Sequence, residues 1–125
     1  MTRVINIKSC KPIDLENLGN NYVYCGRKDD VGYMHYGNPL RISKTMTRLG
    51  CIEQFRMWLE GKMGNYRVNQ RLWILTNVGW LKGKTLGCYC KNLGCHCDLY
   101  VEIVEQTTPW GKKMAEMIDS GETAW

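Results

Sequence analysis

Trp80-Leu-Lys-Gly-Lys-Thr-Leu-Gly-Cys-Tyr-Cys90 runs from a glycine-centred turn into a short β-prone segment, and that segment decides how the chain is layered. Residues two apart in a strand share a face, so Cys88 and Cys90 are expected to project together. The turn that follows brings back Cys95, His96 and Cys97. Asp98 then precedes the apolar run Leu99-Tyr-Val-Glu-Ile-Val104, read as a helix to about Gln106 with Asp98 as its cap.

Two further β-prone runs lie upstream. Arg3-Val-Ile-Asn-Ile-Lys8 alternates apolar and polar residues, and Asn21-Tyr-Val-Tyr-Cys-Gly26 ends on glycine. The turn-rich segment between them, from Lys11 to Asn20, allows at most one helical turn. Arg27 to Leu40 is rich in Gly, Asp and Asn and reads as an ordered loop of the kind that carries function. Leu49, Ile52, Phe55, Leu59 and Met63 recur at helical spacing and predict a helix from Thr45 or Thr47 to about Lys62. A second, Val68 to Val78, carries the stripe Val68, Leu72 and Leu75, with Gly79 as its stop. Thr108-Pro109 starts a last helix ending near Gly121.

Strands separated by helices predict an α/β fold with a Rossmann-like layering, a mixed or parallel sheet flanked by helices. The 125 residues fit one domain, 1–125, with the helix at about 109–120 as an appended element. In such folds ligands gather beyond the carboxyl ends of the strands. The ends Tyr24-Cys-Gly-Arg27 and Cys88 to Asp98 are therefore expected to face one pocket, with Gly37-Asn38-Pro39 as a further wall.

Charge points to an anionic partner. Lys plus Arg against Asp plus Glu is 8 to 4 over residues 1–50, 7 to 2 over 51–97 and 2 to 6 over 98–125, so a basic body precedes an acidic tail within the net +5. A nucleotide, a nucleoside or a nucleic acid fits that balance, although the basic residues form no dense stripe. No apolar run is long enough for a membrane span or a secretory leader, so a cytoplasmic protein with reduced thiols is expected. Trp58 and Trp110 fall at core positions of helices; a homo-oligomer through the last helix stays open.

Seven cysteines without a leader favour ligation or catalysis over crosslinking. Soft thiolates with an imidazole suit tetrahedral zinc drawn from Cys88, Cys90, Cys95, His96 and Cys97, with Cys88, Cys90, Cys95 and His96 as the set proposed. Four protein ligands make such a site structural; three and a water make it hydrolytic. The rival reading is thiol catalysis, with Cys90 or Cys95 as nucleophile, His96 as base and Asp98 as orienter or cap. Cys10, Cys25 and Cys51 read as small buried hydrophobes. Arg27 follows a strand and a glycine, where it can meet a phosphate bidentately, and Tyr24 and Gly26 complete that wall; Tyr24 and Tyr36 are the candidates for stacking on a base. Gly37, Asn38 and Pro39 read first as a fixed turn and second as ligand contacts.

Taken in order, Tyr22-Val-Tyr-Cys-Gly-Arg27, Tyr36-Gly-Asn-Pro-Leu40, Ile52-Glu-Gln-Phe-Arg-Met-Trp-Leu59, Leu81-Lys-Gly-Lys-Thr-Leu-Gly-Cys-Tyr-Cys90 and Cys95-His-Cys-Asp98 resemble an uncharacterised family of small phage and bacterial proteins. Its pattern is V-Y-x-G-R, G-N-P-F, I-E-x-[YF]-x-x-W-L, L-x-C-W-C and C-H-x-D before an apolar helix. Tyr89 stands in place of its tryptophan, Leu40 of its phenylalanine and Cys97 of a small residue. The resemblance implies a phage or prophage accessory protein and strengthens the assignment of Cys88, Cys90, Cys95, His96 and Asp98. It brings no reaction with it.

Overall fold

The computed structural model describes residues 1–26, 32–40, 48–88 and 95–121. Three strands, β1 (Arg3–Asn6), β2 (Tyr22–Tyr24) and β3 (Thr85–Cys88), form a parallel sheet in the order β1-β3-β2. Five α-helices flank it among the described residues: α1 (Pro12–Leu18), α2 (Arg48–Leu59), α3 (Val68–Asn77), α4 (His96–Glu105) and α5 (Pro109–Ser120). The α/β expectation holds, and the sheet is of the parallel kind. All four residues of the central β3 are buried, as a strand covered by helices requires. Among the described residues no helix is long and apolar enough to cross a membrane.

Local boundaries depart from the sequence reading where caps were misjudged. The Lys11–Asn20 segment holds a seven-residue helix rather than a single turn. Pro12 presets the backbone angle at its first position, and the Asp14 carboxylate accepts from the Lys11 N–H at 3.4 Å. Cys95, not Asp98, caps α4; Asp98 sits three residues further on, its Oδ2 accepting from the Cys95 N–H at 3.0 Å. Helix α5 starts at Pro109 behind the Thr108 cap, whose hydroxyl accepts from Gly111 N–H at 3.0 Å, and stops at Gly121.

The inward face of α2 is rotated from the predicted stripe. Leu49 is 75% exposed, whereas Cys51, Phe55, Trp58 and Leu59 are buried. The real seam follows the 51, 55, 58, 59 spacing because Trp58 points inward, its indole N–H donating to Tyr66 O at 2.8 Å. In α3 the buried residues are Gln70, Ile74 and Leu75, and Gln70 spends its amide on Gly37 O at 2.6 Å.

An aromatic cluster lies within the core. Phe55 meets Trp58, His96 and Tyr100 at centroid distances of 5.5, 5.3 and 5.8 Å. Tyr100 donates to Tyr36 O at 2.6 Å, and Tyr36 donates to Asn77 O at 2.9 Å, so the 36–40 loop is held to α3 and α4. Helices α4 and α5 pack closely where Gly111 meets the Glu102 backbone; a Cβ at Gly111 would overlap the Glu102 carbonyl.

Candidate metal centre at the carboxyl ends of the strands

Because the strands are parallel, their carboxyl ends share one edge of the sheet. Val23 lies in register with Leu86, and the Cys25 N–H continues the ladder to Gly87 O at 2.8 Å. Two residues beyond that register pair, Cys25 and Cys88 therefore fall on the same face and side by side. Both are buried. The start of α4 lies against this edge and delivers Cys95, His96 and Cys97.

The sulphurs converge. Cys88 Sγ and Cys95 Sγ are 3.1 Å apart, and the Sγ atoms of Cys88, Cys95 and Cys97 all lie within 4.8 Å of one another. Their exposures are 2%, 4% and 0%. Such a set of soft, shielded donors could hold a metal ion. Neighbouring sulphurs on a tetrahedral zinc lie about 3.8 Å apart, from Zn–S bonds of about 2.3 Å; the triad reaches that by small side-chain rotations.

His96 is fixed by what surrounds it. Its Nε2 lies 2.7 Å from Cys25 O, and since a carbonyl only accepts, Nε2 carries the proton. Nδ1 then faces Cys95 Sγ at 3.6 Å. The ring stands edge-on to Phe55 and Tyr100, at 74° and 83°. Burial alone pulls the imidazole pKa down, but the hydrogen bond and charge of the Cys95 sulphur, with the Cys25 carbonyl and Cys88, outweigh it and raise it overall. His96 thus locks the end of β2 to the start of α4 and braces the Cys95 sulphur.

The thiol of Cys97 is raised well above its ordinary value by hydrogen bonding with Cys25, Cys88 and Cys95, and then by burial. Several thiols crowded in a dry pocket share protons rather than ionise together. A divalent cation would reverse that preference, so its binding here would release protons.

The other residues singled out by sequence sort as follows. Cys90 and Arg27 lie outside the described residues. Cys97 completes the described triad, while His96 stands beside it and contacts its sulphurs. Asp98 is exposed, its carboxyl raised by desolvation at the helix start and lowered in part by the Cys95 N–H. Tyr24 is half-buried with its ring across Gly26, where a Cβ would collide with it. Asn38 is buried, its Oδ1 accepting from Leu40 N–H at 2.8 Å and its amide facing Cys51 Sγ at 3.5 Å. Gly37 is bonded by His35 and Gln70, and Pro39 O accepts from Tyr66 at 3.4 Å. This loop reaches the sulphur cluster through Tyr36 and Tyr100.

Cys25 was missed. Read as an isolated buried thiol, it contributes its carbonyl to His96 and its sulphur to Cys97, 71 positions before the histidine. One signal was available: like Cys88, it closes a β-run whose end belongs at the binding edge of a parallel sheet. The chain matches no curated protein and no solved structure. A match to the family described as "Domain of unknown function (DUF4326)" spans residues 9–106, which takes in the sheet edge, the triad and α4, and the chain belongs to that family.

Proposed function

We propose that the protein is a zinc-stapled binding module whose ligand, a nucleotide or nucleoside, docks at the strand ends beside the metal centre. The observation that carries the metal part is the convergence of Cys88, Cys95 and Cys97 within 4.8 Å in a buried corner. Thiolate softness favours zinc over magnesium or calcium, and burial favours a closed, structural site. Cys90, two residues beyond Cys88, is the proposed fourth ligand, with His96 as the alternative from the same turn. Zinc here would tie β3 to the first turn of α4 and hold the sheet edge in shape.

The ligand reading draws on position and charge. Parallel sheets receive ligands beyond their carboxyl ends, and the strand ends are followed by Gly26-Arg27 and by the start of α4. Arg27 is the proposed partner of the anionic group, and Tyr24 with Gly26 the adjoining wall. Gly37, Asn38 and Pro39 are proposed as a further wall. The motif resemblance supports a place among accessory proteins of phages, acting in the host cytoplasm.

A second reading keeps chemistry at the same corner. The 3.6 Å approach of Cys95 Sγ to His96 Nδ1, with Nε2 held by a carbonyl, is the arrangement a thiol nucleophile needs, and Cys95 would then be the nucleophile, His96 its base and Asp98 the residue that fixes the Cys95 backbone.

Elemental analysis and thermal-shift screening test both. Zinc at one equivalent, lost together with folding stability in Cys97→Ala, supports the staple; full stability without metal rejects it. Nucleotides that raise the melting temperature in wild type and not in Arg27→Ala support the ligand site. Variants of Cys95 or His96 that stay folded, keep zinc and lose a nucleotide-dependent turnover would favour the second reading.

A further inference from the structure

We propose that Cys88 and Cys95 are a redox-active dithiol, which an oxidant of the hydroperoxide class converts to a disulfide, withdrawing two of the three sulphurs from the metal centre. The effect on the metal rests on the zinc reading above; the pairing of the sulphurs does not.

Cys88 closes β3 and Cys95 caps α4, with their sulphurs 3.1 Å apart. That separation lies between a disulfide bond of about 2.05 Å and the spacing of about 3.8 Å between ligands of one zinc. Short rotations in opposite directions reach either state. A Cys95–Cys97 bond is disfavoured, because it must span a single residue in the first turn of α4 and break the contact of the Cys97 N–H with Cys95 Sγ at 3.5 Å. Cys95 is the sulphur that reacts first. It stands at the amino end of a ten-residue helix, and His96 Nδ1, 3.6 Å away, is placed to take its proton as it attacks. Exposures of 4% and 2% select a water-sized oxidant over a bulky disulfide reagent.

The Cys95 thiolate attacks one oxygen of hydrogen peroxide, the O–O bond breaks, and the departing hydroxide takes a proton to become water. Cys95 is left as a sulfenic acid. The Cys88 thiolate then attacks that sulphur, the S–S bond forms, and hydroxide leaves and is protonated to a second water. Two thiols together give up two electrons and two protons, and one peroxide is reduced.

The experiment treats zinc-free, reduced wild-type protein with stoichiometric hydrogen peroxide, then maps its cysteines by mass spectrometry with fragmentation. The expected result is a mass loss of two hydrogen atoms and a Cys88–Cys95 linkage. Any other pairing, or Cys95 as sulfinic acid with Cys88 still free, overturns the proposal. Cys88→Ser should leave a dimedone-reactive sulfenic acid at Cys95, and the wild-type map decides the matter should that variant not fold. In zinc-loaded protein, peroxide should release zinc to a chromogenic chelator in step with the disulfide. Disulfide formation with zinc retained overturns the coupling. A protein that takes up no zinc refutes the metal reading and the coupling, while the zinc-free map alone decides the dithiol.

Discussion

The two ends of α4 are held by different physics. Its carboxyl end turns into α5 through local rules: Thr108 caps, Pro109 starts, Gly111 lets the helices touch, and the Thr108 hydroxyl donates to Glu102 Oε1 at 2.7 Å. Its amino end meets residues far away in sequence, the Cys25 carbonyl and the Cys88 sulphur, and crowds thiols that resist ionising together. That turn is built from short-range bonds, and one long-range tie joins it, Glu105 Oε2 accepting from the Thr2 N–H at 3.0 Å and the Thr2 hydroxyl at 2.6 Å. A corner assembled from three separate segments, with three soft sulphurs crowded together, gains most from an ion that binds the folded state alone.

The sulphur corner depends most on its ion. Chelation, or Cys97→Ala, should remove zinc and cost roughly 4 kcal/mol when zinc had stood a thousandfold above its dissociation constant. That corresponds to a melting-temperature drop of roughly 15 °C for a chain of this size. Cys51→Ala is the matched control, a buried thiol bonded to Leu40 O at 3.4 Å and outside the triad. It should cost about 1 kcal/mol and keep full zinc stoichiometry. Equal losses from the two variants, measured by calorimetry with and without chelator, would show that the triad is ordinary core.

The hairpin is tested by Gly111→Ala. The added Cβ would overlap the Glu102 carbonyl, backbone that cannot step aside as a side chain can. The expected cost is about 1–3 kcal/mol, with zinc content unchanged, because the strain sits at the far end of α4 from the sulphurs. Zinc loss in this variant would mean that the two ends of the helix are not independent.

That division also explains what could be read from the chain. The run Thr108-Pro109 with Gly121 defined α5 because every signal was local, and the β-prone runs ending at Tyr24 and Cys88 gave a sheet with helices around it. The cap of α4 was misplaced by three residues, since an aspartate before an apolar run serves equally at the cap or at the third position, and a thiol is an uncommon cap. Periodicity gave the existence of α2 and its inward Phe55 and Leu59, and failed at Leu49, because only tertiary packing ranks it against Cys51 and Trp58 as an inward anchor. Cys88 and Cys95 were legible as a pair from their crowding in sequence. Cys25 was not, as its place beside them depends on strand register, which no local pattern states.

The smallest effect is expected where the loop meets α4. Burial first, and the nearby Cys25 second, push the Tyr36 phenol from 10.0 to about 12. The folded state therefore holds this proton more tightly than the unfolded chain does. The corresponding stability is intact below pH 10.0 and is lost as pH rises from there to about 12. Tyr36→Phe removes one proton from that difference, so the fall in stability across this window should become shallower, with Tyr100 and Cys97, both held well above their ordinary values, supplying the remainder. At neutral pH the variant should lose only the bond to Asn77 O, about 1 kcal/mol, and keep its zinc. Denaturant titrations at stepped pH give both quantities. An unchanged slope would place the alkaline sensitivity at Tyr100 and Cys97, and a change in zinc content would extend the sulphur corner's dependence on long-range partners to the 36–40 loop.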